Sequence, residues 1–146
     1  MITVELKGVQ EIQAKLQKAC NVAGTKSVLE GVGDIVVDEI QRNFRNEGIG
    51  NRKWVRSKAA QAENRQTLTK TRALRRVKRS DFDGKQVLVG TSAVAKRKGE
   101  KPYPYGAALH YGTKNMPARP WLEVDEQGMK RIEEFLTDKI EDALKG

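Results

Sequence analysis

Cysteine and histidine occur once each, as Cys20 and His110, and aromatic residues make up only 5% of the chain. A single cysteine excludes an internal disulfide, so synthesis in a cytosol is the natural expectation. Cys20 itself is expected as a small buried helix residue rather than a reactive thiol. One Cys and one His without motif spacing cannot supply a four-ligand zinc site from the usual donors. No apolar run reaches the ~18 residues that a membrane span needs. The opening Met1-Ile2-Thr3-Val4-Glu5-Leu6 also lacks a basic stretch followed by an apolar one, so neither membrane insertion nor secretion is indicated. Gly48, Gly50 and Gly99 are not placed as a phosphate loop requires. A catalytic His110 would need a Ser or Cys nucleophile and an orienting acid, and nothing in the sequence nominates them. The carboxylate pairs Asp81 with Asp83 and Asp38 with Glu39 fall in a turn and on a helix face, where solvation explains them. We therefore expect no active site and no cofactor.

What the chain has in excess is positive charge. Its 146 residues carry a net charge of +9, and residues 42–101 hold 18 Lys and Arg against 5 Asp and Glu. That middle stretch is +13, so the rest sums to −4. Two readings stay open: a solvated surface, or a face that meets polyanion, since clustered cations raise both affinity and encounter rate. Arg75, Arg76, Lys78, Arg79, Lys96, Arg97 and Lys98 are the candidates for DNA or polyanion contact. No base-reading motif accompanies them, so contact with DNA would go to phosphates and ignore sequence.

The hydrophobic pattern places helices toward both ends. Ile2, Val4 and Leu6 alternate with polar residues as a short half-buried strand ending at Gly8. A helix is expected from about Val9 to Ala23, with Val9, Ile12, Leu16 and Ala19 or Cys20 on one face. A longer one follows from about Thr25 to Asn46, where Val28, Val32, Ile35, Val36, Ile40 and Phe44 form a core-facing stripe. Gly31 and Gly33 interrupt it, for close packing or for a bend, and close packing is preferred.

From Glu47 to about Thr67 the pattern dissolves into a long loop or loosely helical arm. Trp54, its large apolar residue, either tucks back on the core or anchors a neighbouring subunit. The basic run Leu68–Arg79, interrupted by Leu74 and Val77, reads as a helical turn leading into a strand. Asp81-Phe82-Asp83-Gly84-Lys85 reads as a hairpin turn, with Gln86–Gly90 as the returning strand. Residues 91–102 read as a mobile basic loop that orders on assembly. The last helix, from about Asp125 to Leu144, presents Met129, Ile132, Leu136, Ile140 and Ala143 or Leu144, a stripe expected to pack on the sheet. The whole is expected to be one α+β domain spanning 1–146. A small, mainly antiparallel sheet is packed by N-terminal helices and a C-terminal helix, with flexible basic arms at 47–67 and 91–102.

The densest signal is Tyr103–Leu122, Y-P-Y-G-A-A-L-H-Y-G-T-K-N-M-P-A-R-P-W-L. Pro104 can open a short helix and Gly112 can close it in a left-handed conformation. Tyr105, Leu109 and Ala108 would share one face. Pro117 and Pro120 then stiffen the chain around Arg119 and lead it, extended, into Trp121 and Leu122. Arg119 would pair with a partner's carboxylate or staple the loop to its own helix. His110 is expected as a hydrogen-bonded structural residue at the end of the short helix. As a docking element, the candidate residues are Trp54, Tyr105, His110, Arg119 and Trp121.

This segment resembles the tail-completion, or virion morphogenesis, proteins of tailed bacteriophages, which are close to the neck proteins joining head to tail. Their Tyr-Ala-x-x-His-x-x-Gly stretch is matched in order, with the histidine one residue later, by Tyr105, His110 and Gly112, and their Pro-x-Arg-Pro-Phe-Leu stretch by Pro117, Arg119, Pro120 and Leu122. Asn43-Phe44 leading through Gly48 and Gly50 to Trp54 matches as well. So does Leu68 to Arg75, similar to a Leu-x-x-Thr-Gly-x-Leu-Arg pattern. Arg72 stands where that family commonly has glycine, and Trp121 where it commonly has phenylalanine. The resemblance implies a structural protein of the virion, made in the host bacterial cytoplasm and sited at the neck or tail end. It implies a homo-oligomeric ring around the DNA channel that completes the tail or joins it to the head. The implied partners are the head-completion protein, the tail terminator and the tail tube, with non-specific contact to packaged double-stranded DNA and none to membrane. A tail terminator capping the tube and a sequence-nonspecific DNA-binding protein are the alternatives.

Overall fold

The computed structural model describes residues 9–68, 72–82, 86–95, 98–103 and 105–145. The expected strand at Ile2–Leu6, the Asp83–Lys85 turn and Pro104 lie outside them.

Apolar residues at steps of three and four produce the long helices where the pattern puts them. Helix α1 spans Val9–Ala23 and α2 spans Lys26–Asn46. Thr25 stands at the N-cap of α2 in an extended conformation, but its hydroxyl donates back to the Val22 carbonyl at 2.8 Å, tying the two helices together. Glu47 ends α2 in the left-handed region at φ 51°, and its N–H closes on Asn43 and Phe44.

A two-residue hairpin follows, β1 (Gly48–Ile49) paired antiparallel with β2 (Arg52–Lys53). A side chain at Gly48 would meet the Arg52 carbonyl at 2.3 Å, so only glycine lets the two strands close. Ser57 then caps a short helix α3 (Lys58–Ala62), its hydroxyl accepting from the Ala60 N–H at 3.1 Å. Residues 47–67, expected as a long loop or loosely helical arm, thus contain a hairpin and a capped helix. Glu47 fixes both ends of the excursion. Its carbonyl accepts from the Trp54 N–H at 2.7 Å, and its carboxylate accepts from the Thr67 N–H at 2.6 Å.

The second hairpin pairs β3 (Lys78–Phe82) with β4 (Gln86–Gly90), in register from Lys78 opposite Gly90 to Phe82 opposite Gln86. Asp81 and Phe82 are therefore strand residues rather than part of the turn. Among the described residues the β structure is two separate two-stranded antiparallel units. Ala95 and Tyr103 exchange backbone hydrogen bonds at 2.9 Å and so close the base of the 91–102 loop. Helix α4 (Gly106–Tyr111) and helix α5 (Glu126–Lys145) complete a mixed α+β chain with helices flanking small antiparallel sheets.

Helix α2 is the central element: the β3–β4 hairpin packs on it, and so does α5, which also lies along α1. The α5 stripe was expected on the sheet, and it meets helices instead. The physical reason lies in the glycines. A Cβ on Gly31 would sit 2.3 Å from the Phe135 ring, and one on Gly128 would sit 2.9 Å from Glu39, so each glycine opens a seat for the facing helix. Phe135 and Gly128 take the inner positions, which rotates Met129 out to 49% exposure. On the other side of α2, Gly33 accommodates Val87 and Arg79 of the hairpin. Both α2 glycines thus serve close packing inside one continuous helix, not a bend.

Cys20 is exposed, contrary to expectation, because α1 turns Ala19, Val22 and Ala23 inward and leaves Leu16 and Cys20 outside. Buried charge sits between α2 and α5. The Glu39 carboxylate, 1% exposed, accepts from Arg42 at 2.9 Å and from Arg131 at 2.6 Å. That hydrogen bond raises the pKa of Arg131 above its ordinary value.

Arg72 has φ 56°. Leu68 shares the left-handed region at φ 64°, and these two reversals bring Leu74 and Val77 back to the core. A left-handed non-glycine residue costs about 1–2 kcal/mol, while glycine costs roughly 0.5–1 kcal/mol more to order. Arg72→Gly is therefore expected to raise the unfolding free energy by about 0.5 kcal/mol, and Arg72→Val to lower it by more than about 1 kcal/mol. Urea unfolding of the two variants checks the opposite signs.

Candidate docking site

Phe44, fully buried in the last turn of α2, organises the region around the Tyr103–Leu122 segment. Trp54 meets its ring edge-on, with centroids 5.7 Å apart at 74°, and Trp121 lies against it at 5.8 Å and 36°. Ile40, Leu74 and Val77 close this core. Each indole N–H must find an acceptor once buried. Trp54 Nε1 donates to the Pro120 carbonyl at 2.7 Å, and Trp121 Nε1 donates to the Gly106 carbonyl at 2.9 Å. Gly106 is required there, because a Cβ would lie 2.9 Å from the Trp121 ring.

The chain from 117 to 123 is held from three sides. The Asn43 amide donates to the carbonyls of Trp121 and Glu123 at 3.1 and 2.7 Å. His110 Nδ1 accepts from the Trp121 and Leu122 N–H groups, both at 3.3 Å. The Arg119 N–H donates to the Leu109 carbonyl at 2.8 Å. Helix α4 ends at Gly112 with φ 78° and ψ 172°, a region essentially confined to glycine rather than the helical left-handed one expected. A side chain there would strike Ala118 at 2.7 Å.

Trp54 and Trp121 are thus components of the chain's own core, and Trp54 takes the first of its two expected roles. Arg119 staples the loop to its own helix through its N–H on the Leu109 carbonyl, and its side chain adds a second hold. It is 5% exposed, and its Nε donates to the Val55 carbonyl at 2.6 Å, stapling the loop to the segment between β2 and α3. Burial lowers its pKa from the ordinary value. Tyr105 and His110 are half-buried, and the His110 ring packs against Tyr111 with centroids 4.7 Å apart.

Beside this platform lies an open cleft of about 1010 Å³. Leu68, Val94, Tyr103, Tyr105, Leu109 and Met116 contribute its apolar walls, and Arg119 and Arg65 its cationic groups. Val94 is 55% exposed and Tyr103 40%. Val94 was not a candidate from the sequence, because it stands alone in a basic stretch without apolar periodicity. Tyr111 is also exposed. It lies off the Tyr105–Leu109 face, an offset that helical spacing alone would have revealed.

The described basic candidates differ in their surroundings. Arg75 stacks over the Phe44 ring, 5.9 Å from its centroid. Arg79 is held by α2, donating to Asp34 at 2.6 Å with Glu30 at 3.6 Å, and the Asp34 hydrogen bond raises its pKa. Arg76, Lys78 and Lys98 are exposed. Lys96 and Arg97 lie outside the described residues. No cluster of metal-ligating side chains occurs among the described residues, and no helix among them is long and apolar enough to cross a membrane.

A rigid aromatic platform beside an apolar cleft suits contact with protein, and the sequence signature of the phage virion morphogenesis family matches residues 4–141. The chain belongs to that family, whose members are phage morphogenesis components. No curated protein and no solved structure matches it significantly.

If the two indoles and Asn43 hold the platform together, Trp121→Ala is expected to cost about 3–5 kcal/mol of stability. Asn43→Ala, which strands two carbonyls, is expected to cost about 2 kcal/mol. Urea unfolding followed by tryptophan fluorescence for Asn43→Ala, and by circular dichroism for Trp121→Ala, measures both losses.

Proposed function

We propose that this chain is a structural component of the bacteriophage particle that completes the tail or joins tail to head. It acts as a ring-forming adaptor around the DNA channel. Family membership over nearly the whole chain is the observation that carries a morphogenetic role. The platform and cleft support contact with adjoining proteins, with the head-completion protein, tail terminator and tail tube as partners. Subunits of a ring meet through heterologous surfaces. Such surfaces differ on the two sides of a protomer, as the cleft side and the α1–α5 side do here. We further propose that the chain has no catalytic activity, a reading supported by the structural use of His110, whose Nδ1 accepts from two backbone N–H groups.

A second reading, sequence-nonspecific DNA binding, draws on the +13 charge of residues 42–101. Pairing of Arg79 with α2 and stacking of Arg75 on Phe44 reduce the charge offered to a polyanion.

Antibody labelling of purified particles is expected to mark the head–tail junction or tail end. Label confined to the capsid shell, or absent, would overturn the adaptor reading. Sedimentation of the purified chain is expected to give a ring, or a monomer that ignores random-sequence duplex DNA at moderate salt. A submicromolar DNA complex with steep salt dependence would put the second reading first.

A further inference from the structure

Arg119 differs from the arginines that form ion pairs inside the fold. Arg42, Arg79 and Arg131 each meet a carboxylate. Arg119 is the most deeply buried of the four, yet its side-chain bond among the described residues is a single one, from Nε to the Val55 carbonyl. Its two terminal nitrogens donate to no described residue, and burial lowers its pKa. They are not among the fully enclosed unpartnered atoms, so they keep contact with solvent and an arriving anion can reach them.

The unpaired guanidinium borders the cleft, along with apolar walls from Leu68, Val94, Tyr103, Tyr105, Leu109 and Met116 and a second cation, Arg65, which is already paired with Glu63. That lining tells one kind of anion from another. Duplex DNA carries hydrated phosphates on a convex rod, which suits exposed lysines and not a recessed arginine between aliphatic side chains. A carboxylate borne between apolar side chains fits both features, and the planar fork of arginine matches it with two parallel hydrogen bonds. At about 1010 Å³ the cleft is as large as the largest usual small-molecule sites, about 1,000 Å³, so it has room for several side chains.

We propose that the cleft seats a peptide segment of an adjoining protein. One Asp or Glu carboxylate of that segment lies on the terminal nitrogens of Arg119, and its apolar neighbours lie against Leu109, Met116 and Val94. The identity of the partner as a particle protein rests on the adaptor reading above; the chemistry of the cleft does not. Arg119 then has two roles on two sets of atoms, Nε holding the loop and the terminal nitrogens receiving the partner.

The test uses the full chain, labelled with nitrogen-15, and two N-acetylated, C-amidated probe peptides, Ala-Val-Glu-Leu-Ala and its Gln analogue. Titration followed by NMR is expected to shift the Arg119 Nε–H and the Val94 and Leu109 amide signals. The Glu peptide is expected to bind about tenfold more tightly than the Gln peptide, as for a charge-assisted bond. In Arg119→Gln the two peptides become equivalent. Should that variant unfold, Arg119→Lys keeps the charge without the fork and is expected to retain only part of the preference, while the comparison in the unaltered chain stands by itself. Equal affinities, or no shift at Arg119, would overturn the proposal. So would sodium phosphate or a random duplex moving the same signals more strongly than the Glu peptide. A peptide that lowers the sedimenting mass would place a second copy of this chain in the cleft and overturn the assignment to another protein. Loss of the particle label would defeat the adaptor reading and leave these titrations unchanged. Equal peptide affinities would defeat the cleft assignment and leave the labelling unchanged.

Discussion

Burial of Phe44 between two tryptophans is the constraint on which the rest of the structure depends. One ring from the last turn of α2 gathers Trp54 from the segment after the first hairpin and Trp121 from the loop before α5. These residues are far apart in the chain, so their contact closes long loops that local propensity would leave open. Because each indole carries an N–H, burial also dictates where the backbone must run, since the carbonyls of Pro120 and Gly106 have to be in reach. Hydrophobic burial thus fixes position, and the hydrogen bonds fix register. Asn43, one residue before Phe44, adds two more bonds to the same loop.

Around that centre, α2 uses glycine on two sides for different neighbours. Gly31 seats Phe135 of α5, and Gly33 seats Val87 and Arg79 of the second hairpin. Helix interiors disfavour glycine by about 1 kcal/mol relative to alanine; the close approach of two layers offsets that cost. Charges follow the same geometry. Glu39 is buried with Arg42 and Arg131, and Arg79 is drawn to Asp34, so two cations of the basic middle, Arg42 and Arg79, serve internal contacts. Net charge alone therefore overstates what the surface offers to a polyanion. What remains exposed, including Arg76, Lys78 and Lys98, is a smaller set.

The tight hold on residues 117–123 explains how a segment without regular structure can present a defined face. Leu109, His110 and Asn43 bind its backbone from three directions. A platform immobilised in this way loses little freedom when a partner arrives, which favours binding. The neighbouring cleft combines apolar walls with one recessed cation, a pairing that defines a partner by chemistry as well as by shape.

The α1, α2 and α5 spans, the returning strand 86–90 and the short α4 helix were legible from the sequence, because apolar spacing and the turn residues at their ends are local signals. The Tyr103–Leu122 pattern likewise marked the residues that build the platform, and with the upstream patches it pointed to the family. Other features depended on contacts between distant segments. Trp54 inward and Val94 outward look alike in a polar stretch, and only the position of Phe44 separates them. Nothing local told the α5 stripe to meet helices, since the seats at Gly31 and on Glu39 belong to another element. The left-handed Arg72 was visible only as a departure from a glycine, and Cys20 was turned outward by the rotation of α1. Sequence by itself determined where the three long helices run and where cations concentrate, because those properties arise within a few residues. Tertiary structure alone decided which buried arginine lacks a counter-charge, because pairing is settled by what the fold brings within reach.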